Sequence, residues 1–415
     1  MLIFKAADNR SVAATLKASS LRGWHAPRHL AFWAILTLIV ICAAEVGSAV
    51  VVRLLLQSSV RQMFWSPDLD AARAAWEANA AAVDYELGWL SETVATSWPR
   101  DASGAKNNLD YPEPGEACGS AYGDSFIWGD EVPLADGWIE QLSRRLGCRV
   151  SNYGVSAYGT DQAYLRFHRA DNDRAPIALL GIFPENIVRN VNQYRGFMGY
   201  APEPFLVKGR FVLNDAGHLE WIARPRLEAD GFLNMHTTPS LFLQHEYLLP
   251  DSRDGPIVVR FPYIIKLARF ALAPRVRERM SGRTPWDEFF HPNHPSRALE
   301  LTIAIVAAFV SEAEQRGKHP FIVMQPSGGS FRTGARFGRP DYATFVDEMA
   351  NRGIGVFDPA PALIAALNGR SYCELYTKPS VCQGHFSVTG GGLVAEVVAS
   401  ELRRAGFVKD PAANN

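Results

Sequence analysis

Two short stretches, Gly123-Asp124-Ser125-Phe126 and Val150-Ser151-Asn152-Tyr153-Gly154, decide how this sequence folds. In the first, an apolar segment gives way to Gly123 and Asp124, and Ser125 follows where a strand would pass into a helix. A serine on such a turn exposes its hydroxyl, and its own N–H lies at a helix N-terminus, where it can stabilise an oxyanion. The residues therefore predict a nucleophile at Ser125, with Asp124 as a supporting residue of the turn.

A nucleophilic serine needs a base, and the sequence offers one far downstream. His385 stands in Gly384-His385-Phe386-Ser387, directly before the helical run 393–402. This order, with the serine after the first strand and the histidine before the last helix, resembles the SGNH (GDSL) hydrolase family. The resemblance covers residues 116–407. It implies an α/β fold with a doubly wound parallel sheet flanked by helices, and catalysis by Ser125 and His385.

The resemblance also implies an oxyanion hole with three donors, of which the N–H of Ser125 is the first. The family's second block is a strand followed by a glycine-rich turn, and it matches the stretch that begins at Asn152. The glycine of that block falls on Ala157, with Gly154 beside it as a possible support. An alanine supplies the same N–H, provided that the turn needs no positive φ there.

The third donor in the family is an asparagine amide in a Gly-x-Asn-Asp block. Here Glu185-Asn186 follows the buried strand 177–183, and a rigid register puts Glu185 at the donor position. We expect Asn186 to be the donor, because an ionised carboxylate cannot donate, and Asn190 is the fallback. The structural alternative for Asn186 is a helix N-cap.

The histidine block departs from the family at one position. An aspartate normally stands three residues before the histidine and orients its imidazole, whereas this sequence has Cys382 there. A thiol cannot do that work. Three solutions stay open: a backbone carbonyl, another acid, or a Ser125–His385 dyad.

The cysteines fit an exported domain. They stand at positions 42, 118, 148, 373 and 382. Four of them flank the functional loops of the inferred fold, which suggests the disulfides Cys118–Cys148 and Cys373–Cys382. Sequence alone allows three pairings of these four, and free buried cysteines are the alternative.

The N-terminal region predicts a membrane anchor. Residues 1–29 are basic, and Glu45 is the one charged residue between Leu30 and Val52, a stretch long enough to span a bilayer. The basic excess predicts a cytoplasmic N-terminus and an exported remainder, hence a single-pass protein of a bacterial inner membrane with a periplasmic domain. A cleaved signal peptide is the alternative. Glu45 either lies near the outer headgroups or contacts a polar group of a partner membrane protein.

The remaining chain divides into a connector at 53–115, a hydrolase domain at 116–408 with an insertion at about 191–300, and a tail at 409–415. The insertion contains a predicted hairpin at 210–222 and an amphipathic, basic helix at 261–280, which lies on the membrane, on a partner or simply at the surface. His291-Pro292-Asn293-His294-Pro295 is interpreted as a loop rather than a metal site, because no acid or cysteine stands nearby.

These features favour one function and leave a second open. A chain of 415 residues with a formal net charge of −1 has no polyanion-binding character, which excludes nucleic acid as a partner. We expect a serine esterase or O-acyl(acetyl)transferase without cofactor or metal, acting on acylated carbohydrate and possibly supplied by a membrane acyl-donor protein. The alternative is a weak or inactive scaffold that binds a glycan or a membrane partner.

Overall fold

The computed structural model of the protein describes residues 28–89, 99–112 and 116–408. Most of the predicted cytoplasmic segment 1–29 and all of the tail 409–415 therefore lie outside the described residues. The described α-helices are α1 (Arg28–Leu56), α2 (Leu69–Asn79), α3 (Ser125–Trp128), α4 (Trp138–Leu146), α5 (Thr160–His168), α6 (Asn186–Asn190), α7 (Ala229–Thr237), α8 (Tyr263–Leu272), α9 (Pro274–Ser281), α10 (Ala298–Gln315), α11 (Gly328–Phe337), α12 (Ala343–Asn351), α13 (Ala360–Leu367) and α14 (Val388–Arg404). The described strands are β1 (Phe64–Trp65), β2 (Gly119–Tyr122), β3 (Val150–Asn152), β4 (Ile177–Ile182), β5 (Arg210–Leu213), β6 (Leu219–Ile222), β7 (Ile257–Val258), β8 (His319–Met324), β9 (Val356–Phe357), β10 (Tyr376–Lys378) and β11 (Gln383–Phe386).

Five strands form one parallel sheet in the order β3-β2-β4-β8-β9. The chain winds outward in both directions from the β2–β4 pair, which confirms the doubly wound sheet predicted from the sequence. Strand β4 is buried along its whole length, as expected where helices cover both faces. In such sheets ligands bind outside the carboxyl ends of the strands, where the winding direction changes. The turn that follows β2 and carries Ser125 lies at this point.

Side chains from the two faces of the sheet enter two separate cores. Leu180 of β4 belongs to the core that contains apolar residues of α5 and α10. Its neighbour Leu179 belongs to the core that contains residues of α4 and α14. This alternation follows from the two-residue period of a strand. The result is a three-layer arrangement of helices, sheet and helices, with the turns that carry the candidate site at the edge of the sheet.

The insertion between α6 and α10 departs from the prediction at one point. The hairpin forms as expected, with β5 antiparallel to β6. The predicted single helix at 261–280 is two helices, however, because Ala273 between α8 and α9 is extended, with φ −61° and ψ 134°. Pro274 is the first residue of α9. Proline disfavours a helical conformation in the residue before it and is favoured at a helix start.

The predicted connector packs into the folded body rather than extending from it. Strand β1 pairs in parallel with β7 of the insertion. Farther along, the Lys106 amine lies 3.3 Å from the Glu140 carboxylate in a fully buried ion pair, and Asp101 pairs with Arg149. Contacts of this kind hold the connector against both the insertion and the sheet domain.

Helix α1 is the one helix in the described residues that is long and apolar enough to cross a membrane, a property that a signal sequence shares. Its last three turns contact the insertion. The Glu45 carboxylate accepts hydrogen bonds from the first two backbone N–H groups of α8, those of Tyr263 and Ile264, the latter at 3.0 Å. Within the described residues, the polar partner of Glu45 is therefore a helix N-terminus of the same chain.

Candidate active site

Ser125 is the first residue of α3, at the turn that follows β2. Gly123 is required just before it, because a Cβ there would lie 2.4 Å from Ile127 Cγ1 and 2.9 Å from the carbonyl oxygen of Gly181. Asp124 caps the helix by accepting a hydrogen bond from the N–H of Phe126 at 3.0 Å. The serine itself is 6% exposed. These contacts place its hydroxyl at a helix N-terminus beside the sheet edge.

Asp124 is fully buried and pairs with Arg189, whose Nη1 lies 3.3 Å from Oδ2. Burial raises the pKa of Asp124, and the charge of Arg189 opposes that rise. The same guanidinium donates to the carbonyl oxygen of Tyr158 at 3.0 Å. Arg189 therefore ties the serine turn to the turn that contains Ala157. Sequence analysis missed this residue, because nothing local marks a buried arginine of α6 as a partner of Asp124.

Two backbone donors of the predicted oxyanion hole are unpaired. Within the described ranges of the chain, neither the N–H of Ser125 nor that of Ala157 has a hydrogen-bond acceptor. Ala157 adopts φ 63°, so the turn does use the left-handed conformation that glycine tolerates best. Arg195, fully buried and also missed by sequence analysis, donates to the Ala157 carbonyl at 3.3 Å and holds this turn. Gly154 has a structural role, since its N–H donates to Asn152 Oδ1 at 3.0 Å.

The two candidate asparagines differ in what their amides contact. Asn186 is fully buried, and among the described residues neither its nitrogen nor its oxygen has a hydrogen-bond partner. It is not the N-cap of α6, because Glu185 occupies that position. Asn190 is hydrogen-bonded through both amide atoms: its nitrogen donates to Thr302 Oγ1 at 2.9 Å and its oxygen accepts from the N–H of Asp161 at 3.2 Å. Of these two, only Asn186 has an amide without any hydrogen bond among the described residues.

His385 lies beside the serine turn and is held by an acid that sequence analysis did not find. Its ring packs on Phe126, the residue after the nucleophile, with ring centroids 4.8 Å apart. Its Nδ1 lies 3.4 Å from Glu131 Oε2, an ion-pair distance without hydrogen-bond geometry, and its backbone N–H donates to the same oxygen at 3.1 Å. Glu131 thus approaches Nδ1 of the ring, the nitrogen through which a carboxylate orients a catalytic histidine. Contacts of this kind commonly tighten only when substrate binds.

Glu131 is fixed in its ionised form by the hairpin of β10 and β11. Burial by itself raises its pKa, but hydrogen bonds from Thr377, Lys378 and the His385 N–H, with the charge of His385, lower the pKa to about 2. Gly384, at φ 89°, makes this approach possible, because a Cβ there would lie 2.1 Å from Thr377 Oγ1 and 2.7 Å from Glu131 Oε2. The carboxylate is therefore charged throughout the working pH range of an enzyme.

Both predicted disulfides are present. Cys118–Cys148 links the residue before β2 to the residues that precede β3, and Cys373–Cys382 closes the segment that leads into β11. Cys42 is free and exposed on α1. Because Cys382 is oxidised, it cannot orient the histidine, and Glu131 is an acid from elsewhere in the chain that contacts His385. A single glutamate six residues after the serine carries no local signal for that role.

A second group of polar side chains lies in the insertion. Asp254, Glu288 and His294 place their ligand atoms within 4.8 Å of one another. The prediction of a plain loop at 291–295 rested on a lack of nearby acids, but Glu288 stands six positions before His294 and the fold adds Asp254. Burial lowers the pKa of His294 to about 4, and the nearby Asp254 only partly opposes this, so its imidazole is neutral at neutral pH. These residues could hold a divalent cation.

Solved structures similar to this chain are lipolytic proteins of the G-D-S-L family. One, from Desulfitobacterium hafniense DCB-2, shares 13% identity at a TM-score of 0.33, with 68% of this chain and 97% of that chain covered. Another, from Veillonella parvula DSM 2008, shares 10% identity at the same TM-score, with 69% and 97% covered. No family model and no curated protein matches the chain. At this distance the chemistry has to be argued from the chain's own geometry.

Proposed function

We propose that this protein is a serine-dependent ester hydrolase or O-acyltransferase that works through an acyl-enzyme on Ser125. In the proposed reaction His385 removes the proton from the Ser125 hydroxyl, and the serine oxygen attacks the ester carbonyl. The resulting oxyanion is stabilised by the N–H groups of Ser125 and Ala157 and by the Asn186 amide. Collapse of the intermediate releases the alcohol, which takes the proton from His385. Water or a second hydroxyl then accepts the acyl group.

The observation that carries this proposal is the set of three unpaired donors on the loops that follow the neighbouring parallel strands β2, β3 and β4. Unpaired polar groups next to a buried site are costly and uncommon unless they have a function. In this chain, the two backbone donors and the Asn186 amide have no acceptors among the described residues, whereas the Gly154 N–H and the Asn190 amide nitrogen each donate a hydrogen bond. The groups left unpaired are the three donors that an oxyanion would need, which favours a catalytic site over a scaffold.

The same geometry weakens the case for an inactive scaffold. That alternative rested on the cysteine at position 382 and on the displaced asparagine. Glu131 contacts His385 from another loop. The amide of Asn186, the residue after Glu185, has no hydrogen-bond partner among the described residues and can serve as the donor that Glu185 cannot be. The two departures from the family pattern are therefore compatible with catalysis.

We further propose that α1 is retained as a membrane anchor and that α8 lies in the outer leaflet beside it. Removal of α1 would uncover the N-terminus of α8, which Glu45 caps, and would remove Val52 from its cluster with Phe64. The exposed side of α8 and its flanks is apolar, with Phe261 and Leu272 72% and 73% exposed and Ile265 54% exposed. Apolar side chains at this density beside a spanning helix fit a lipid surface.

The anchor proposal is tested by the intact mass of the mature protein from membranes washed with alkaline carbonate. For the wild type we expect an unprocessed chain in the membrane pellet. The double variant Glu45→Gln, Phe261→Ser should still sediment with the membrane, but its helix α8 should become sensitive to protease. Cleavage in wild type between residues 40 and 56 would identify α1 as a signal peptide and contradict the proposal.

The substrate we propose is an acyl ester of an extracytoplasmic glycan, with a membrane acyl donor as the source if the enzyme is a transferase. The resemblance to SGNH hydrolases motivates this substrate class, and the proposed membrane anchor is compatible with it. Full-length protein in nanodiscs is incubated with an O-acetylated polysaccharide, and free acetate is compared with acetate moved to a non-acetylated acceptor glycan. Free acetate alone indicates an esterase, and transfer indicates an acyltransferase. The absence of both, from protein that is labelled at Ser125 by a fluorophosphonate, would exclude this substrate class while leaving the serine chemistry intact.

A further inference from the structure

We propose that Asp254, Glu288 and His294 bind a first-row divalent cation, with zinc as the best fit. The three side chains bring their ligand atoms within 4.8 Å of one another, and His294 Nε2 lies 3.6 Å from Asp254 Oδ2. Ligands about 2.0–2.2 Å from a tetrahedral zinc ion are separated from one another by about 3.4 Å. Small side-chain adjustments of Glu288, which is partly exposed, complete that geometry.

Two of the three ligands are buried with unpaired atoms. The side chains of Asp254 and His294 are 0% and 1% exposed, and among the described residues Asp254 Oδ1 and His294 Nε2 have no hydrogen-bond partner. A buried carboxylate oxygen and a buried imidazole nitrogen are each costly when unpaired. A cation between them would satisfy both at once, which is the physical reason for preferring a metal site to a plain loop.

The surroundings of these ligands resemble the outer shell of a metal centre. The Tyr247 hydroxyl donates to Asp254 Oδ2 at 2.6 Å, and Ser296 Oγ lies 2.6 Å from His294 Nδ1. The Ser296 N–H also donates to His294 Nδ1, at 3.4 Å. Partners of this kind orient ligands. A mixed set of one imidazole and two carboxylates suits zinc and its first-row neighbours better than magnesium or calcium. Three protein ligands leave a position for water.

One neighbour opposes the cation and provides a sharp test. Arg253 Nη2 lies 2.5 Å from Glu288 Oε1, and its Nε lies 4.0 Å from Asp254 Oδ1. Its positive charge competes with a metal ion for the same carboxylates. Because the Arg253 side chain is 44% exposed, it can move into solvent when the cation binds. Removal of this charge should therefore strengthen cation binding.

The proposed cation would join three separate parts of the chain. Asp254 precedes β7, Glu288 lies in the short 3-10 helix Asp287–Phe290, and His294 precedes α10. Since α10 packs on β8 of the central sheet, the cation would fasten the loop of Asp254 to the end of the insertion that leads into α10. This role is independent of the serine chemistry, so the two proposals stand or fall separately.

The test measures zinc binding to the full-length protein, solubilised in detergent and stripped with EDTA, by isothermal titration and elemental analysis. We expect one equivalent of zinc, an affinity at least tenfold lower in Glu288→Gln and His294→Gln, and a higher affinity in Arg253→Gln. His291→Gln is the matched control: this histidine is exposed, three residues away, and its loss should change nothing. The Ser125→Ala variant should bind zinc like wild type.

Manganese and calcium chlorides are titrated in parallel, and melting temperatures with and without zinc show whether each variant is folded. A zinc-dependent rise in melting temperature that Glu288→Gln loses would support the site even if His294→Gln fails to fold. Failure of the wild type to bind any of the three ions, or equal zinc affinity in wild type and Glu288→Gln, would overturn the proposal. In the latter case zinc binds adventitiously elsewhere.

Discussion

The serine side and the histidine side of the candidate active site are built in different ways. On the serine side, β2, the cap of Asp124 and the turn at Ala157 belong to consecutive elements of one parallel sheet. On the histidine side, β10 and β11 form a separate two-stranded sheet, and the orienting acid Glu131 reaches it from the loop after the nucleophile helix. One side depends on the local path of the chain, whereas the other depends on contacts between residues about 250 positions apart.

This difference teaches where catalytic parts can be exchanged. The nucleophile and the backbone donors are products of a strand–turn–helix geometry and have little freedom. The acid only has to place a charged oxygen near the histidine Nδ1, so any loop that reaches this point can supply it. With position 382 committed to a disulfide, we propose that the chain uses Glu131 for the purpose. The predictions below test whether the two sides do differ in this way.

The largest effect is expected for Glu131→Gln, which removes the charge that stabilises the imidazolium but keeps the shape. We expect kcat to fall roughly 10³-fold or more. KM and the melting temperature should change little, because the glutamine amide oxygen can still accept from the His385 N–H. Glu374→Gln, an exposed acid of the same hairpin region, is the control, and activity within twofold of wild type in Glu131→Gln would refute the role.

The next largest effect is expected for Asn186→Ala. Loss of one oxyanion donor typically lowers kcat by about 10²- to 10³-fold while KM changes little. Asn190→Ala should instead lower the melting temperature, because its amide bonds Thr302 and the Asp161 N–H, and should leave kcat of the folded protein within about fivefold. Stopped-flow or steady-state kinetics with a chromogenic ester distinguish the two. The reverse ranking would show that Asn190 is the donor.

The two disulfides should separate stability from activity. The Cys118–Cys148 bond closes a loop of 30 residues, so the double variant Cys118→Ser, Cys148→Ser should lose about 3.6 kcal/mol of unfolding free energy. The Cys373–Cys382 bond closes a loop of 9 residues, so the double variant Cys373→Ser, Cys382→Ser should lose about 2.6 kcal/mol. Activity should follow the opposite order. Release of the hairpin displaces His385 and should cost about tenfold or more in kcat, whereas the other variant should stay near wild type while folded. Equal kinetic losses would contradict the proposed difference between the two sides.

The smallest effect is expected for Ala157→Gly. Ala157 has φ 63°, a backbone conformation that is strained for alanine but not for glycine. The substitution should stabilise the protein by about 0.5–1 kcal/mol, because the relief of this strain outweighs the added entropy of the unfolded chain. The N–H is retained, so kcat should be unchanged. Chemical denaturation and ester kinetics on the same preparation test both statements. A large loss of activity would mean that the alanine methyl contacts the substrate.

Sequence reasoning succeeded where the signal was local and failed where partners were distant. The strand–helix alternation, the Gly-Asp-Ser turn and the cysteine positions predicted the sheet and both disulfides. The role of Glu131, the cation group at Asp254 and the capping of α8 by Glu45 all depend on contacts between residues far apart in the chain, which no spacing rule encodes. The break between α8 and α9 is a different case, because Pro274 is a local signal for a helix start and the amphipathic pattern over 261–280 was nevertheless interpreted as one helix.

The central claim is that Ser125 forms an acyl-enzyme, and release of p-nitrophenol from p-nitrophenyl acetate by the full-length protein in detergent tests it most directly. Wild type and Ser125→Ala are compared, with Ser156→Ala, a serine of the neighbouring turn, as the control. We predict a rapid burst and turnover in wild type and in the control, no activity in Ser125→Ala, and a mass increase of one acetyl group on the peptide that contains Ser125. Equal activity in wild type and Ser125→Ala, or folded wild-type protein that shows neither activity nor acetylation, would contradict the account.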